Sequence, residues 1–178
     1  MTRRITIKSV YETALLIVIA AFVLLTFGFS SQNAEQSSGI SYNVTVWLLK
    51  VFAGGFDTLP AAERTKLITI LHPIVRKAAH FSVYCALGAA VYGFLCVRIP
   101  QKKASVRIII STLVCFAFAS ADEFHQLFTP GRCGCFTDVQ LDTAGAFTGI
   151  MLLFAVIAAV GKIKKRRQRK RDTVQNRA

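Results

Sequence analysis

Acidic residues are scarce in this chain. Only nine of 178 are Asp or Glu, against 22 Lys and Arg. Amphipathic alternation is also scarce, because the apolar residues come in long unbroken runs, which argues against an ordinary soluble domain. No internal repeat is evident, so an inverted-repeat carrier is not expected. The H-E-x-x-H pattern of zinc hydrolases is missing, and no other zinc spacing is present. No small-residue cleavage site of the A-x-A kind follows the first apolar run, so that segment is read as a retained helix rather than a signal peptide.

Four apolar runs remain, at 13–29, 78–97, 108–121 and 139–160. A bilayer crossing takes about 20 residues at about 1.5 Å of rise each. The third run has 14 residues and falls short, but reaches 21 if its helix continues to Phe128. The expected fold is all-α, an integral membrane bundle of four transmembrane helices. Positions 1–161 form the membrane domain, and 162–178 form a basic tail expected to be disordered.

Between the first two spans, 41–52 and a segment from Ala61 carrying Leu67, Ile70, Leu71 and Ile74 read as short amphipathic surface helices in the first outer loop. Gly54 and Gly55 separate them, and Pro73 marks a kink or a fresh helix start. In the last span, Gly145 and Gly149 form a small-xxx-small pair that permits close helix approach. Gly is common in membrane helices, so ordinary packing is the reading adopted for the pair.

The basic excess follows topology. Three Lys and Arg precede the first run, four lie in the loop 98–107, and nine follow Val160. The positive-inside bias puts those segments, and both termini, in the cytoplasm. The tail KIKKRRQRKR is expected to adhere to anionic membrane lipid, and nucleic acid is not expected as a partner.

The few acids gather on the opposite side. Positions 122–138 read DEFHQLFTPGRCGCFTD, directly after the short third run. A carboxylate at that depth costs about 2.5–3.5 kcal/mol on insertion scales and usually faces a bundle interior with a partner. Three other segments bring polar groups to the same depth: Ser30, Ser31 and Gln32; Arg76, Lys77 and His80; and Arg132, Asp138 and Asp142.

Arg76 and His80 share a helix face, as do Asp122 and Gln126, Glu123 and Gln126, and Asp138 and Asp142. If the faces converge, Arg76 and Arg132 neutralise two carboxylates, and His80 carries or accepts a proton. The candidate polar cluster is therefore His80, Asp122, Glu123, Gln126 and Asp138, with Arg76, Lys77 and Arg132 as anion-holding groups.

The alternative is a metal set of Asp122, Glu123, His125, Cys133, Cys135 and Asp138. Its spacing and the adjacent arginine argue against a cation, so neither a metal nor a cofactor is expected. Cys133 and Cys135, one residue apart, would strain a disulfide and are read as unpaired or labile.

RKAAHFSVYCALG at 76–88 resembles the R-K-x-x-H-F-x-x-Y-x-x-L-G signature of VanZ-like membrane proteins. DEFHQLFTPGR, followed by Asp138, Gly145 and Gly149, is similar to that family's D-E-x-x-Q-x-x-x-P-x-R…D…G…G segment, and Ser31-Gln32 also matches its pattern. The resemblance covers about 15–151. It implies a four-span protein of the bacterial cytoplasmic membrane, and a link to teicoplanin resistance through the family's named member. It points to Arg76, His80, Tyr84, Asp122, Glu123, Gln126, Arg132 and Asp138, and so adds Tyr84 to the expected ligand-binding residues. This chain departs from the pattern at Asp142, where Asn is expected, and at Cys133 and Cys135.

The function expected is action at the outer face on an envelope component, a lipid headgroup or a lipid-linked cell-wall precursor. The competing expectation is a non-enzymatic scaffold or target-protection protein whose charged cluster is structural.

Overall fold

Helix–helix contact in a bilayer gains little from excluding water, so it depends on how closely backbones can approach. This chain achieves that approach between its two longest helices. In a computed structural model describing residues 7–31, 34–130 and 134–175, the described residues form α1 (Ile7–Ser30), α2 (Ala34–Phe52), α3 (Ala61–Arg98), α4 (Ala104–Gln126) and α5 (Phe136–Gln175). A 3-10 turn, Phe56–Thr58, joins α2 to α3. It is preceded by Gly55 at φ 81°, a left-handed conformation that costs glycine little.

Helices α1, α3, α4 and α5 are long and apolar enough to cross a membrane. Their outward faces carry large apolar side chains, with Leu24, Leu113, Leu152 and Val156 all more than half exposed. An apolar surface on this scale suits lipid rather than water. The fold is a multi-pass membrane bundle.

α3 and α5 form its central pair. A Cβ placed on Gly149 would overlap the Cys85 carbonyl, one on Gly145 the Phe81 carbonyl, and one on Gly88 the Ala146 carbonyl. The contacts 81 to 145 and 85 to 149 advance together, so the two helices run in the same direction. Gly145 and Gly149 are thus required for the crossing, which goes beyond the ordinary packing expected of them. Around this seam Tyr84, Leu87, Val91, Cys115, Ala119, Val139 and Ala146 form the buried core, with Ile19, Phe22 and Val23 of α1 packed against it. At the end holding the loop 98–107, Glu12 of α1 lies 3.8 Å from Lys8 and 4.0 Å from Arg98 of α3.

Three elements differ from the sequence expectation. The segment from Ala61 does not form a separate surface helix: it is continuous with the second span in the 38-residue α3, with Pro73 inside it. The hydrogen bond that Pro73 cannot make would go to Thr69. Both residues are exposed, so the freed carbonyl is not sealed in the core. α4 ends at Gln126 rather than Phe128, and gains its length by starting at Ala104. The basic segment after Val160, expected to be disordered, continues α5 as helix to Gln175. Lys, Arg and Gln are good helix formers, and a helix already nucleated by the span extends at little cost.

The seam gives a direct prediction. Gly149→Ala should destabilise the protein by about 1–3 kcal/mol through overpacking against α3. Gly161→Ala, where nothing lies within 4 Å of the added methyl, should be neutral or stabilise by up to about 1 kcal/mol. Thermal unfolding of the two variants in detergent checks the contrast.

Candidate functional site

The register set by Gly145 and Gly149, carried one to two turns back along each helix, brings the Arg76–His80 turn of α3 against the Asp138–Asp142 turn of α5. The contact is made: Lys77 Nζ lies 3.4 Å from Asp138 Oδ1. Both side chains are substantially exposed, so this pair at the rim contributes at most about 1 kcal/mol.

Behind the rim is a cavity of about 290 Å³. Its α3 wall is His72, Pro73, Arg76, Lys77 and His80. Glu123 and Gln126 of α4 and Asp138, Leu141 and Asp142 of α5 face them, with Cys135 at the mouth. One wall is basic and the other acidic, at the end of a bundle that is otherwise apolar.

The acidic wall is organised by α4. Gln126 Nε2 donates to Glu123 Oε1 at 3.0 Å and to Asp122 Oδ2 at 3.4 Å, as their shared helix face requires. The other Glu123 oxygen accepts the backbone N–H of Cys135 at 2.9 Å, immediately before α5 begins. A carboxylate accepting such a donor at a helix N-terminus is doubly favoured, by the charge-assisted bond and by the helix dipole. The approach is close, since a Cβ on Gly134 would meet the Glu123 carbonyl. Beyond α4 the chain turns through Leu127–Phe128, and Thr129 Oγ1 donates to the Ser30 carbonyl at 3.4 Å, tying the hairpin to α1.

Beneath the cavity, Asp122, Glu123 and Asp142 each place a carboxylate oxygen within 4.8 Å of the others. All three are buried, and neither Asp142 oxygen has a hydrogen-bond partner among the described residues. Two full negative charges at that separation repel by at least about 3 kcal/mol at an effective dielectric constant of about 20. The trio therefore requires a positive counterpart, whether a proton, a guanidinium or a cation. Three hard oxygen donors are the set here that would suit Mg²⁺, Ca²⁺ or Mn²⁺.

The residues read from sequence divide clearly. Arg76, Lys77, His80, Glu123, Gln126 and Asp138 all line the cavity. Asp122 is fully buried beside Glu123 and does not line it. Tyr84 lies in the core instead of on the cavity wall, one turn below His80 where α3 is covered by its neighbours. Arg132 lies outside the described residues, as do Gln32 and Cys133.

Among the described residues, His125 and Cys135 stand apart from the carboxylates of the set considered for a metal. His125 accepts from or donates to Ser31 Oγ at 3.1 Å and stacks obliquely on Phe27, with ring centroids 5.9 Å apart, on the α1 side. Cys135 Sγ engages Thr137 Oγ1 at 3.0 Å. Asp142 takes their place in the trio.

His72 was missed. It lines the cavity and bonds Ser41 Oγ of α2 at 2.7 Å through Nε2, which anchors α2 to α3. The signal was present, because positions 72, 76, 80 and 84 fall at four-residue steps on a single stripe of α3.

The VanZ/LLP1 family model matches residues 14–158, which reach into all four membrane helices and take in every described cavity residue. The chain belongs to the VanZ-like family. Neither a curated protein nor a solved structure matches it. In this VanZ-like protein Cys135 is an exposed thiol at the cavity mouth, in no disulfide among the described residues. The hydroxyl and backbone of Thr137 hold this thiol below its ordinary pKa. Removing the hydroxyl should raise the pKa, leaving less thiolate near neutrality. In a Cys133→Ser background, Thr137→Val should therefore slow maleimide labelling of Cys135 at pH 7 by a factor of a few. The difference should vanish at about pH 10 and above, where the thiol is ionised in both. Labelling rates across that range check it.

Proposed function

We propose that this VanZ-like protein binds the anionic headgroup of an envelope amphiphile, a lipid or a lipid-linked cell-wall precursor, at the outer face of the bacterial cytoplasmic membrane. The observation that carries the reading is the cavity with opposed walls, Arg76, Lys77 and His80 facing Glu123, Asp138 and Asp142. A headgroup phosphate or carboxylate would lie against Arg76 and Lys77, where a guanidinium gives paired donors and an ammonium a mobile charge. Glu123 and His80 stand on opposite sides of such a group, positioned to take and return a proton if the ligand is altered.

The basic segments at the opposite end of the bundle support the orientation, with both termini in the cytoplasm. Family membership supports an envelope role and a contribution to teicoplanin resistance. The inner halves of the four apolar runs carry no charged residue, which favours a one-sided binding site over a carrier. A structural role for the cluster has its own support in the Lys77–Asp138 pair and in the bond from Cys135 N–H to Glu123. On that alternative the protein is a scaffold or target-protection protein.

Variants separate the two. Arg76→Ala, His80→Ala and Glu123→Gln should insert at normal abundance and reduce teicoplanin tolerance to the level of cells without the protein. If tolerance instead falls only in proportion to abundance, the cluster is structural. Full tolerance at full abundance in all three contradicts the proposal outright. Quantitative immunoblotting of membranes alongside susceptibility testing gives both readings.

A further inference from the structure

The Arg76–His80 turn has a second side. An apolar groove of about 180 Å³ runs between α1, α2 and α3, walled by Phe29, Ile40, Val44, Val75, Ala79 and Val83. Among its described lining residues the ionisable ones are Arg76 and His80, and these same two side chains line the polar cavity. A polar chamber and an apolar groove therefore meet at the Arg76–His80 turn. Taken together, the two spaces fall within the range of about 300–1,000 Å³ usual for ligand sites.

We propose that the groove holds one acyl chain of a membrane glycerophospholipid, with its phosphate against Arg76 and its headgroup in the polar cavity. The inference rests on the reading of that cavity as a headgroup site and names the ligand class. Three observations support it. The groove starts at the last turn of α1, beside Thr26 and Phe29, so it lies at the depth where the chains of one leaflet meet their headgroups. Phe29, Ile40 and Val44 are all more than two-fifths exposed, so the groove opens sideways, the direction from which a bilayer lipid arrives. At about 180 Å³ it takes the upper methylenes of one unbranched chain, and the side methyl on every polyprenyl repeat would need more width. The bond from His72 to Ser41 holds α2 in place as the third wall.

The test uses the full chain in bilayer nanodiscs containing phosphatidylglycerol with a photoactivatable diazirine on one of the first methylenes of one acyl chain. Crosslinks should concentrate on the peptides carrying Phe29, Ile40 and Val44. Filling the groove with Ala79→Phe should lower them on the order of tenfold, while Leu152→Phe on the lipid-facing side of α5 leaves them unchanged. Val44→Phe fills the groove from the opposite wall and should act alike, so a folding defect in either variant leaves the other to decide. Crosslinks spread evenly over α1, α4 and α5, or unaffected by both fillings, overturn the groove assignment. So does displacement of the probe by a polyprenyl phosphate but not by unlabelled phosphatidylglycerol. Binding of soluble glycerol phosphate separates the two claims. If Arg76→Ala abolishes that binding while the fillings leave the crosslinks intact, the groove is overturned and the headgroup reading stands. If neither responds, both fall.

Discussion

Everything at the polar end of this protein depends on the close parallel crossing of α3 and α5. Gly145 and Gly149 let the α5 backbone rest on the carbonyls of Phe81 and Cys85, and Gly88 does the same in return against Ala146. Backbone contact of this kind fixes the register far more strictly than interdigitating leucines would, because no side chain is available to shift. With the register set, the first turn of α5 has to stand beside the cationic turn of α3. The Lys77–Asp138 pair reports that alignment without supplying it, since an exposed ion pair is too weak to hold two helices in place.

α4 then completes the site from the third side. Its last turn carries Asp122, Glu123 and Gln126, all buried. Glu123 joins the two functions, lining the cavity with its carboxylate while capping the start of α5 through Cys135 N–H. Burying three carboxylates within 4.8 Å of one another is unfavourable without a compensating charge. A bundle needing only to be stable would do as well with apolar side chains there. The concentration of such groups beside an open cavity is the physical reason for treating the cluster as a working site.

Much of this was legible in the sequence, and the exceptions share a cause. Apolar run length identified the four spans, four-residue spacing paired Arg76 with His80, and three-residue spacing paired Glu123 with Gln126, because these signals are local. Tyr84 lies on the same stripe as His80, yet whether a stripe residue meets a cavity or a core depends on where neighbouring helices close over it. That is a tertiary fact. His72 was hidden by the expectation of a helix break at Pro73. The proline is instead tolerated inside α3, on an exposed face where its missing hydrogen bond costs least. The close crossing was indicated by Gly145 and Gly149, but only the opposing carbonyls distinguish a required glycine from a common one.

The central claim is that the cavity acts on an envelope amphiphile and is not merely an ion-paired plug. Its most direct test is the lipid and cell-wall precursor profile of cells lacking the protein, restored with either the wild type or Glu123→Gln at equal membrane abundance. At least one phosphate-bearing amphiphile should change in amount or form on loss, return with the wild type, and stay altered with Glu123→Gln. Indistinguishable profiles in all the strains would contradict it.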